Sequence, residues 1–303
     1  MAAGIDTLRV GGNIDRSVLV AGGWSITGVT SDGGGFEMRT RMREVVPGVR
    51  LNVIPRQDGV MTGWCEGSVP KYLQDGVNYP AVSVDAAIGA GREWVEAATE
   101  FVTWTEEARV NRLDVVSDIR VGDAVEDVLR TVGAMTVGGR AVRAVYRDAT
   151  VNRAMTVWAK TKRSGSGRLY DKGAESKVEA ARGVVRFEAQ ERKNTLGVVG
   201  VKGLSDLDEK RAERLLRDRW DWCGFGEQVV PREELLSRIL SAENGWRLDT
   251  RLKLAGWVAA GFPQLLNRSS EWRYRQRLAQ FGQPGDGEVG WRLDLIEGLV
   301  MAA

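Results

Sequence analysis

Three short segments of the sequence share one pattern, in which an arginine and an apolar residue precede an acid or a phenol. They are Arg112-Leu113-Asp114, Arg168-Leu169-Tyr170 and Arg186-Phe187-Glu188. Because residues two apart in a strand face the same side, each strand would place its arginine beside the acid or phenol and turn Leu or Phe toward a core. If the three strands are neighbours, one face of a sheet gathers groups suited to phosphate chemistry.

Tyr170 is the candidate nucleophile of this cluster. A phenol has a reference pKa of ~10 and attacks weakly unless nearby cations favour its ionised form. Arg168 and Lys172 stand two positions to either side of Tyr170 and would share its face in a strand. We therefore predict that these two cations activate Tyr170 for attack on phosphorus.

The carboxylates of the cluster are candidate metal ligands. Asp114 and Glu188 offer the oxygen atoms that a hard divalent cation such as Mg²⁺ or Mn²⁺ prefers. Glu175 follows Tyr170 by five positions and is a third candidate ligand. Such an ion would polarise a phosphoryl oxygen, as metal-assisted phosphoryl transfer requires.

The composition narrows the chemistry further. The chain has 303 residues, with 43 Lys and Arg against 41 Asp and Glu, and it contains no histidine. This excludes Ser-His-Asp and Cys-His nucleophilic systems, as well as zinc sites that use imidazole. The net charge is only +2, yet the segment from Lys160 to Lys193 holds ten basic and five acidic residues. That local excess of positive charge suits a polyanionic substrate.

Cysteine content and hydropathy bear on the compartment. Cys65 and Cys223 are too few for a thiolate cluster or a disulfide framework, which fits a reducing compartment. The sequence has no run of ~18 apolar residues of the kind that spans a bilayer. We therefore expect a cytoplasmic protein without a membrane partner.

The spacing of apolar residues predicts an α+β fold for residues 1–200, a mainly antiparallel sheet with helices on one face. The predicted strands are Ser17–Ala21, Trp24–Thr30, Phe36–Val46, Val49–Pro55, Arg112–Ile119, Arg140–Arg147, Met155–Lys162, Arg168–Lys172 and Gly183–Glu191. Helices are predicted from about Arg92 to Arg109 and from Asp123 to about Val132. Residues 201–303 are predicted to form a small helical domain, with helices at Ser205–Trp220, Pro231–Ala242, Leu248–Ala260 and Ser269–Phe281.

Simpler interpretations of the triplets remain open. An arginine beside an acid on one strand face is commonly part of a solvated ladder of salt bridges. A tyrosine in a strand is commonly a half-buried packing residue. Spacing alone therefore indicates a plausible phosphate site without deciding its function.

Several blocks of the sequence resemble the gene II/X replication initiators of filamentous phages and related rolling-circle elements. Tyr170-Asp171-Lys172-Gly173-Ala174-Glu175 is similar to the segment that carries the nucleophilic tyrosine of that family. The other similar blocks, in order, are Cys65–Asn78, Val110–Asp114, Ala181–Glu188 and Leu254–Gly282. The resemblance implies a two-layer, relaxase-like nicking domain over residues 1–200.

The resemblance also implies an activity and partners. The protein would nick origin DNA, leave a free 3′-OH and a 5′-phosphotyrosine on Tyr170, and later rejoin the displaced strand into a circle. Its partners would be single-stranded and origin duplex DNA, together with a host helicase and polymerase in a bacterial cytoplasm. Covalent catalysis of this kind divides one difficult step into two easier ones.

Further arginines are candidate DNA contacts. Arg112 and Arg186 lie in the matched strands, and three more arginines lie in the predicted C-terminal helix. These three are Arg273, Arg275 and Arg277. With the preceding helix they could form a pair resembling a helix-turn-helix and contact phosphates or base edges. A solvated basic helix that closes a small bundle explains the same pattern.

Two other classes of protein compete with the enzyme. A non-catalytic origin-binding protein or regulator would use the same basic surfaces without nicking, and a structural phage protein would not need the gathered cluster. Covalent attachment to DNA distinguishes a nicking initiator from a non-catalytic regulator, because only the initiator remains bound to DNA after denaturation.

Overall fold

The computed structural model describes most of the chain, with gaps. The described residues are 3–15, 43–55, 60–134, 142–147, 154–160, 165–225, 229–241, 246–259, 274, 277, 283–285, 291–294 and 298–301. The predicted strands Ser17–Ala21 and Trp24–Thr30 lie outside these residues. So do most of the predicted strand Phe36–Val46 and most of the predicted helix Ser269–Phe281.

Nine strands of the described chain form one sheet in which every neighbouring pair is antiparallel. They are β1 (Gly4–Ile14), β2 (Arg43–Val46), β3 (Val49–Pro55), β4 (Met61–Ser68), β5 (Arg109–Arg120), β6 (Val142–Arg147), β7 (Ala154–Lys160), β8 (Ser166–Asp171) and β9 (Val184–Arg192). Their order across the sheet is β2-β3-β4-β1-β5-β9-β8-β7-β6. The predicted α+β class with an antiparallel sheet is confirmed.

Eight α-helices are described. They are α1 (Val69–Leu73), α2 (Val84–Ala98), α3 (Val125–Ala134), α4 (Lys172–Ser176), α5 (Lys193–Val198), α6 (Glu209–Cys223), α7 (Arg232–Ser241) and α8 (Leu248–Ala259). Across the described ranges, no helix is both long and apolar enough to span a bilayer.

One core joins the sheet to its three longest neighbouring helices, α2, α3 and α6. Phe187 of β9 meets Trp220 of α6 edge to face, with ring centroids 4.9 Å apart. Leu113, Leu169 and Phe187, the middle residues of the three triplets, are all fully buried in this core. The alternation of side chains along each strand therefore turns the arginines, acids and phenol of the triplets to the opposite face.

A shift of register between β1 and β5 keeps the apolar side chains of β5 pointing toward this core. Arg9 pairs with Arg112 and Val10 pairs with Val110, so Asn111 is an extra residue in β5. Such a bulge changes the face to which the following side chains point. As a result both Val110 and Leu113 reach the core.

The structure changes several predicted boundaries. Helix α2 begins at Val84 and ends at Ala98, whereas a helix from Arg92 to Arg109 was predicted. The Ser83 side chain accepts a hydrogen bond from the backbone N–H of Ala86 and caps the first turn. Strands β1 and β4 were not predicted, because glycines and charged residues interrupt their apolar alternation.

The C-terminal part also differs from its prediction. Helix α6 belongs to the core of the sheet, which continues through Cys223 to Phe225. After it, α7 and α8 share a small separate core. Four short strands form a second sheet, and they are β10 (Val229–Pro231), β11 (Gln283–Gly285), β12 (Trp291–Asp294) and β13 (Gly298–Met301). Strands of three or four residues carry too little periodicity to be read from sequence.

Candidate active site

The three triplets lie on adjacent strands, as their pattern predicts. Strand β9 lies between β5 and β8 in the sheet. Arg168 pairs with Glu188 and Tyr170 pairs with Arg186 across the β8–β9 ladder. Because paired residues point to the same side of a sheet, the polar members of the triplets gather on the face opposite the core.

Glu188 is the centre of this cluster. Its Oε2 atom accepts a hydrogen bond from Tyr170 Oη at 3.3 Å and another from Arg168 Nη2. The guanidinium carbon of Arg168 also lies 4.7 Å from the centroid of the Tyr170 ring. The second carboxylate oxygen, Oε1, is buried and has no hydrogen-bond partner among the described residues.

Burial dominates the ionisation of these groups. Burial and the neighbouring Asp114 carboxylate raise the pKa of Glu188 to about 7, and Arg168 opposes part of this rise. Burial and the Glu188 charge raise the pKa of Tyr170 above its ordinary value. Arg168 opposes this rise, so the predicted effect of a flanking cation is present but is outweighed by burial, since Tyr170 is only 3% exposed.

Arg112 binds the carboxylate of Asp114, the second acid of the cluster. Arg112 donates from Nε to Asp114 Oδ1 at 2.9 Å and from Nη2 to Oδ2. Its Nη1 donates to Glu66 Oε1 at 2.8 Å, and Arg9 donates to the other oxygen of Glu66. Burial raises the pKa of Asp114, and Arg112 opposes that rise. The chain Arg9–Glu66–Arg112–Asp114 thus links three strands, β1, β4 and β5.

Arg186 is buried and forms ion pairs within the protein. Its side chain is fully buried, and it donates to Asp118 at 2.6 and 2.8 Å and to Asp6 at 2.9 Å. A guanidinium that is buried and held by two carboxylates does not reach a phosphate. The prediction that Arg186 contacts DNA is therefore wrong for this structure.

Lys172 is also buried. Its Nζ donates to Glu175 Oε2 at 2.6 Å and lies 5.9 Å from the centroid of the Tyr170 ring. In the amide orientation that satisfies its neighbours, Asn78 accepts from Lys172 Nζ at 3.2 Å and donates to Asp6 at 3.0 Å. Burial, reinforced by Arg186, lowers the pKa of Lys172.

The predicted three-carboxylate metal centre is not assembled. Among the described residues, no group of three or more acidic or cysteine side chains is arranged to hold a metal ion. Glu175 lies at the surface end of the cluster, paired with Lys172. Asp114 does lie close enough to Glu188 to interact with it, since the charge of Asp114 raises the pKa of Glu188. The unpartnered Glu188 Oε1 is an atom that a divalent cation would satisfy.

The C-terminal arginines are described only in part. Arg273 and Arg275 lie outside the described residues. The guanidinium carbon of Arg277 lies 5.3 Å from the centroid of the Trp246 ring. This contact gives Arg277 a packing partner in the C-terminal part, and a role in DNA binding stays a prediction for all three.

Sequence reasoning missed four charged members of the site. Asp6 and Arg9 lie on β1, Glu66 lies on β4 and Asp118 lies on β5. The alternation in Leu8-Arg9-Val10 is a signal that could have placed Arg9 on the polar face. Asp6 carries no such signal, because its contact with Arg186 joins positions 180 apart in the sequence.

No protein-family model and no curated protein matches the chain. Among solved structures, the chain is similar to a rolling-circle replication initiator protein from Geobacillus stearothermophilus. The identity is 13%, the TM-score is 0.37, and the alignment covers 85% of this chain and 96% of that chain. A TM-score below 0.5 assigns no function, and membership of the gene II/X family stays a prediction.

Proposed function

We propose that the protein nicks and rejoins single-stranded DNA through Tyr170, as an initiator of rolling-circle replication. The hydrogen bond from Tyr170 Oη to Glu188 Oε2 carries this proposal, because it joins a potential nucleophile to a potential proton acceptor. The guanidinium of Arg168 beside both groups provides a cation for the phosphate.

The proposed reaction is a transesterification at phosphorus. Tyr170 Oη attacks the scissile phosphate and forms a new bond to phosphorus, and the proton of Tyr170 Oη passes to Glu188 Oε2. The bond from phosphorus to the 3′-oxygen breaks, and this oxygen takes a proton from solvent to become a free 3′-OH. The 5′ end of the downstream strand is then held as a phosphotyrosine, and the reverse attack by a 3′-OH rejoins the strand.

Arg168 would change partners when DNA binds. Its side chain is 36% exposed, whereas Glu188 and Tyr170 are buried. A phosphodiester that approaches Tyr170 meets this guanidinium first and can draw it away from Glu188 Oε2. The same movement frees that oxygen to take the proton of the phenol.

Asp114 and Glu188 would hold Mg²⁺ or Mn²⁺ if the reaction uses a metal ion. The two carboxylates oppose each other electrostatically, and Glu188 Oε1 is available. A bound divalent ion supplies polarisation of a phosphoryl oxygen. In the present arrangement Arg112 supplies the positive charge beside Asp114.

A non-catalytic DNA-binding role is the second candidate function. The burial of Tyr170 and the raised pKa of its phenol favour it, because both reduce the reactivity of the oxygen. In that case the cluster would serve only to hold the sheet together. Covalent attachment to DNA separates the two functions.

The test uses a library of single-stranded oligonucleotides of random sequence, labelled at the 3′ end, with Mg²⁺ or Mn²⁺. Wild-type protein should carry label through a denaturing gel, because the strand with the 3′ end stays on the tyrosine. Tyr170→Phe keeps the ring and should carry none, while the matched control Tyr79→Phe should label normally. A labelled band from Tyr170→Phe, or the lack of any labelled band with wild-type protein, would overturn the proposal.

A further inference from the structure

The polar face of the sheet continues beyond the cluster around Glu188. Arg112 of β5, Arg9 of β1, and Trp64 and Glu66 of β4 lie side by side on this face, and we call them the Arg9–Trp64 strip. In register, Arg112 pairs with Arg9, Arg9 pairs with Glu66, and Trp64 lies two residues before Glu66. Because Arg112 also holds Asp114, the strip is continuous with the candidate active site.

The strip combines an aromatic ring with a cation. The guanidinium carbon of Arg9 lies 5.2 Å from the centroid of the Trp64 ring. Glu66 fixes this guanidinium through hydrogen bonds of 3.0 and 2.6 Å. A planar guanidinium held over an indole presents a flat, positively charged surface, which suits a nucleic-acid base.

The strip is open and presents two partly exposed guanidinium groups. The Arg9 side chain is 34% exposed and that of Arg112 is 25% exposed. Both arginines share the carboxylate of Glu66, and Arg112 also pairs with Asp114, so two carboxylates balance the two guanidinium groups. The indole N–H of Trp64 is buried and has no acceptor among the described residues.

We infer that the strand next to the scissile phosphate crosses the Arg9–Trp64 strip as single-stranded DNA, with one base stacked on the Arg9–Trp64 pair. The inference rests on the proposed function for the position of the scissile phosphate. Binding itself does not require nicking. The partner is single-stranded, because the bases of a duplex are already stacked on each other and cannot reach the pair.

A structural role alone does not explain this arrangement. Asp114 already holds Arg112, and Arg9 is too exposed to need the carboxylate of Glu66. By contrast, Arg219 and Trp222 of α6 form a similar pair, 4.8 Å from guanidinium carbon to ring centroid, in which Arg219 is buried against Glu191. Trp222 therefore provides a matched control that lies in the helical layer.

The experiment measures fluorescence anisotropy of a labelled single-stranded 20-mer of mixed sequence in the Tyr170→Phe background, where no strand is cut. Trp64→Ala should weaken binding about 5- to 150-fold, the range of one base–aromatic stack. Trp64→Phe should recover most of the affinity, and Arg9→Gln should weaken binding as well. Binding of a duplex of the same sequence should change little in Trp64→Ala.

The controls decide between outcomes. Trp222→Phe should bind single strands as the background protein does, and thermal unfolding should show that Trp64→Phe and Arg9→Gln remain folded. Unchanged single-strand affinity in both Trp64→Ala and Arg9→Gln would overturn the inference. An equal loss of single-strand and duplex affinity would overturn it too, since it would show a nonspecific charge or folding effect. The covalent labelling test of Tyr170 is independent, so failure of either proposal is distinguishable from failure of the other.

Discussion

Tyr170 Oη lies 3.3 Å from Glu188 Oε2, although the two residues are 18 positions apart in the sequence. They are not direct partners in the sheet, because Tyr170 pairs with Arg186 and Glu188 pairs with Arg168. They are diagonal neighbours across an antiparallel ladder, within reach only because both side chains are long. The geometry thus depends on the exact register of β8 and β9.

Replacing Glu188 with Gln should abolish formation of the covalent adduct. The amide keeps the shape of the side chain but cannot take the proton of Tyr170, and loss of a general base typically costs about 10²- to 10⁴-fold in rate. Glu175→Gln is the matched control, and it should label normally because Glu175 contacts only the Lys172 end of the cluster. Adduct formation at the wild-type rate by Glu188→Gln would remove Glu188 from the mechanism.

The stability of the protein should fall with rising pH because of the same residue. Folding raises the pKa of Glu188 from 4.5 to about 7, so the folded chain binds this proton more tightly than the unfolded chain. The resulting stabilisation is present below pH 4.5 and is lost as the pH rises through about 7. In urea unfolding, the free energy of unfolding of the wild-type protein should therefore fall between pH 5 and pH 8 by more than that of Glu188→Gln.

Metal binding can be tested by thermal unfolding, without measuring activity. Asp114, Arg168, Tyr170 and Asp6 are the charged or titratable groups that face Glu188. If Mg²⁺ binds between Asp114 and Glu188, adding it at pH 8 should raise the Tm of wild-type protein and leave that of Glu188→Gln unchanged. Equal shifts in the two proteins would place the ion elsewhere.

Arg186 should matter for stability rather than for DNA affinity. Arg186→Ala leaves the buried carboxylate of Asp6 and the half-buried one of Asp118 without their cation, which typically costs about 3–5 kcal/mol in the free energy of unfolding. Arg182→Ala, at an exposed side chain, should change stability by no more than about 0.5 kcal/mol. A fully stable Arg186→Ala variant with lost DNA binding would restore the original prediction for this residue.

Substitution of the C-terminal arginines should change how strongly DNA affinity depends on salt concentration. Each phosphate contact removed lowers the slope of log K against log salt by about 0.9 for B-form DNA. We expect the double variant of Arg273 and Arg275 to lower the slope for duplex DNA. Arg277→Ala should lower the slope as well, because the guanidinium beside Trp246 keeps its positive charge. A slope unaltered by all three substitutions would make the helix purely structural.

The sequence by itself determined the local part of the site. The pattern Arg-apolar-acid or Arg-apolar-Tyr follows from the two-residue period of a strand, so it predicted which side chains of each strand share a face. It also predicted that Leu113, Leu169 and Phe187 turn to the core, which the structure confirms. These are properties of single strands, and they need no knowledge of which strands are neighbours.

Only the tertiary structure decided the electrostatics. Burial and the position of Glu188 beside Tyr170 raise the pKa of the phenol, although the sequence shows only flanking cations. The partners of Arg186 come from β1 and β5, at Asp6 and Asp118, and they turn a predicted DNA contact into a buried ion pair. Desolvation and long-range pairing depend on how distant strands come together, and spacing along one strand contains no information about that.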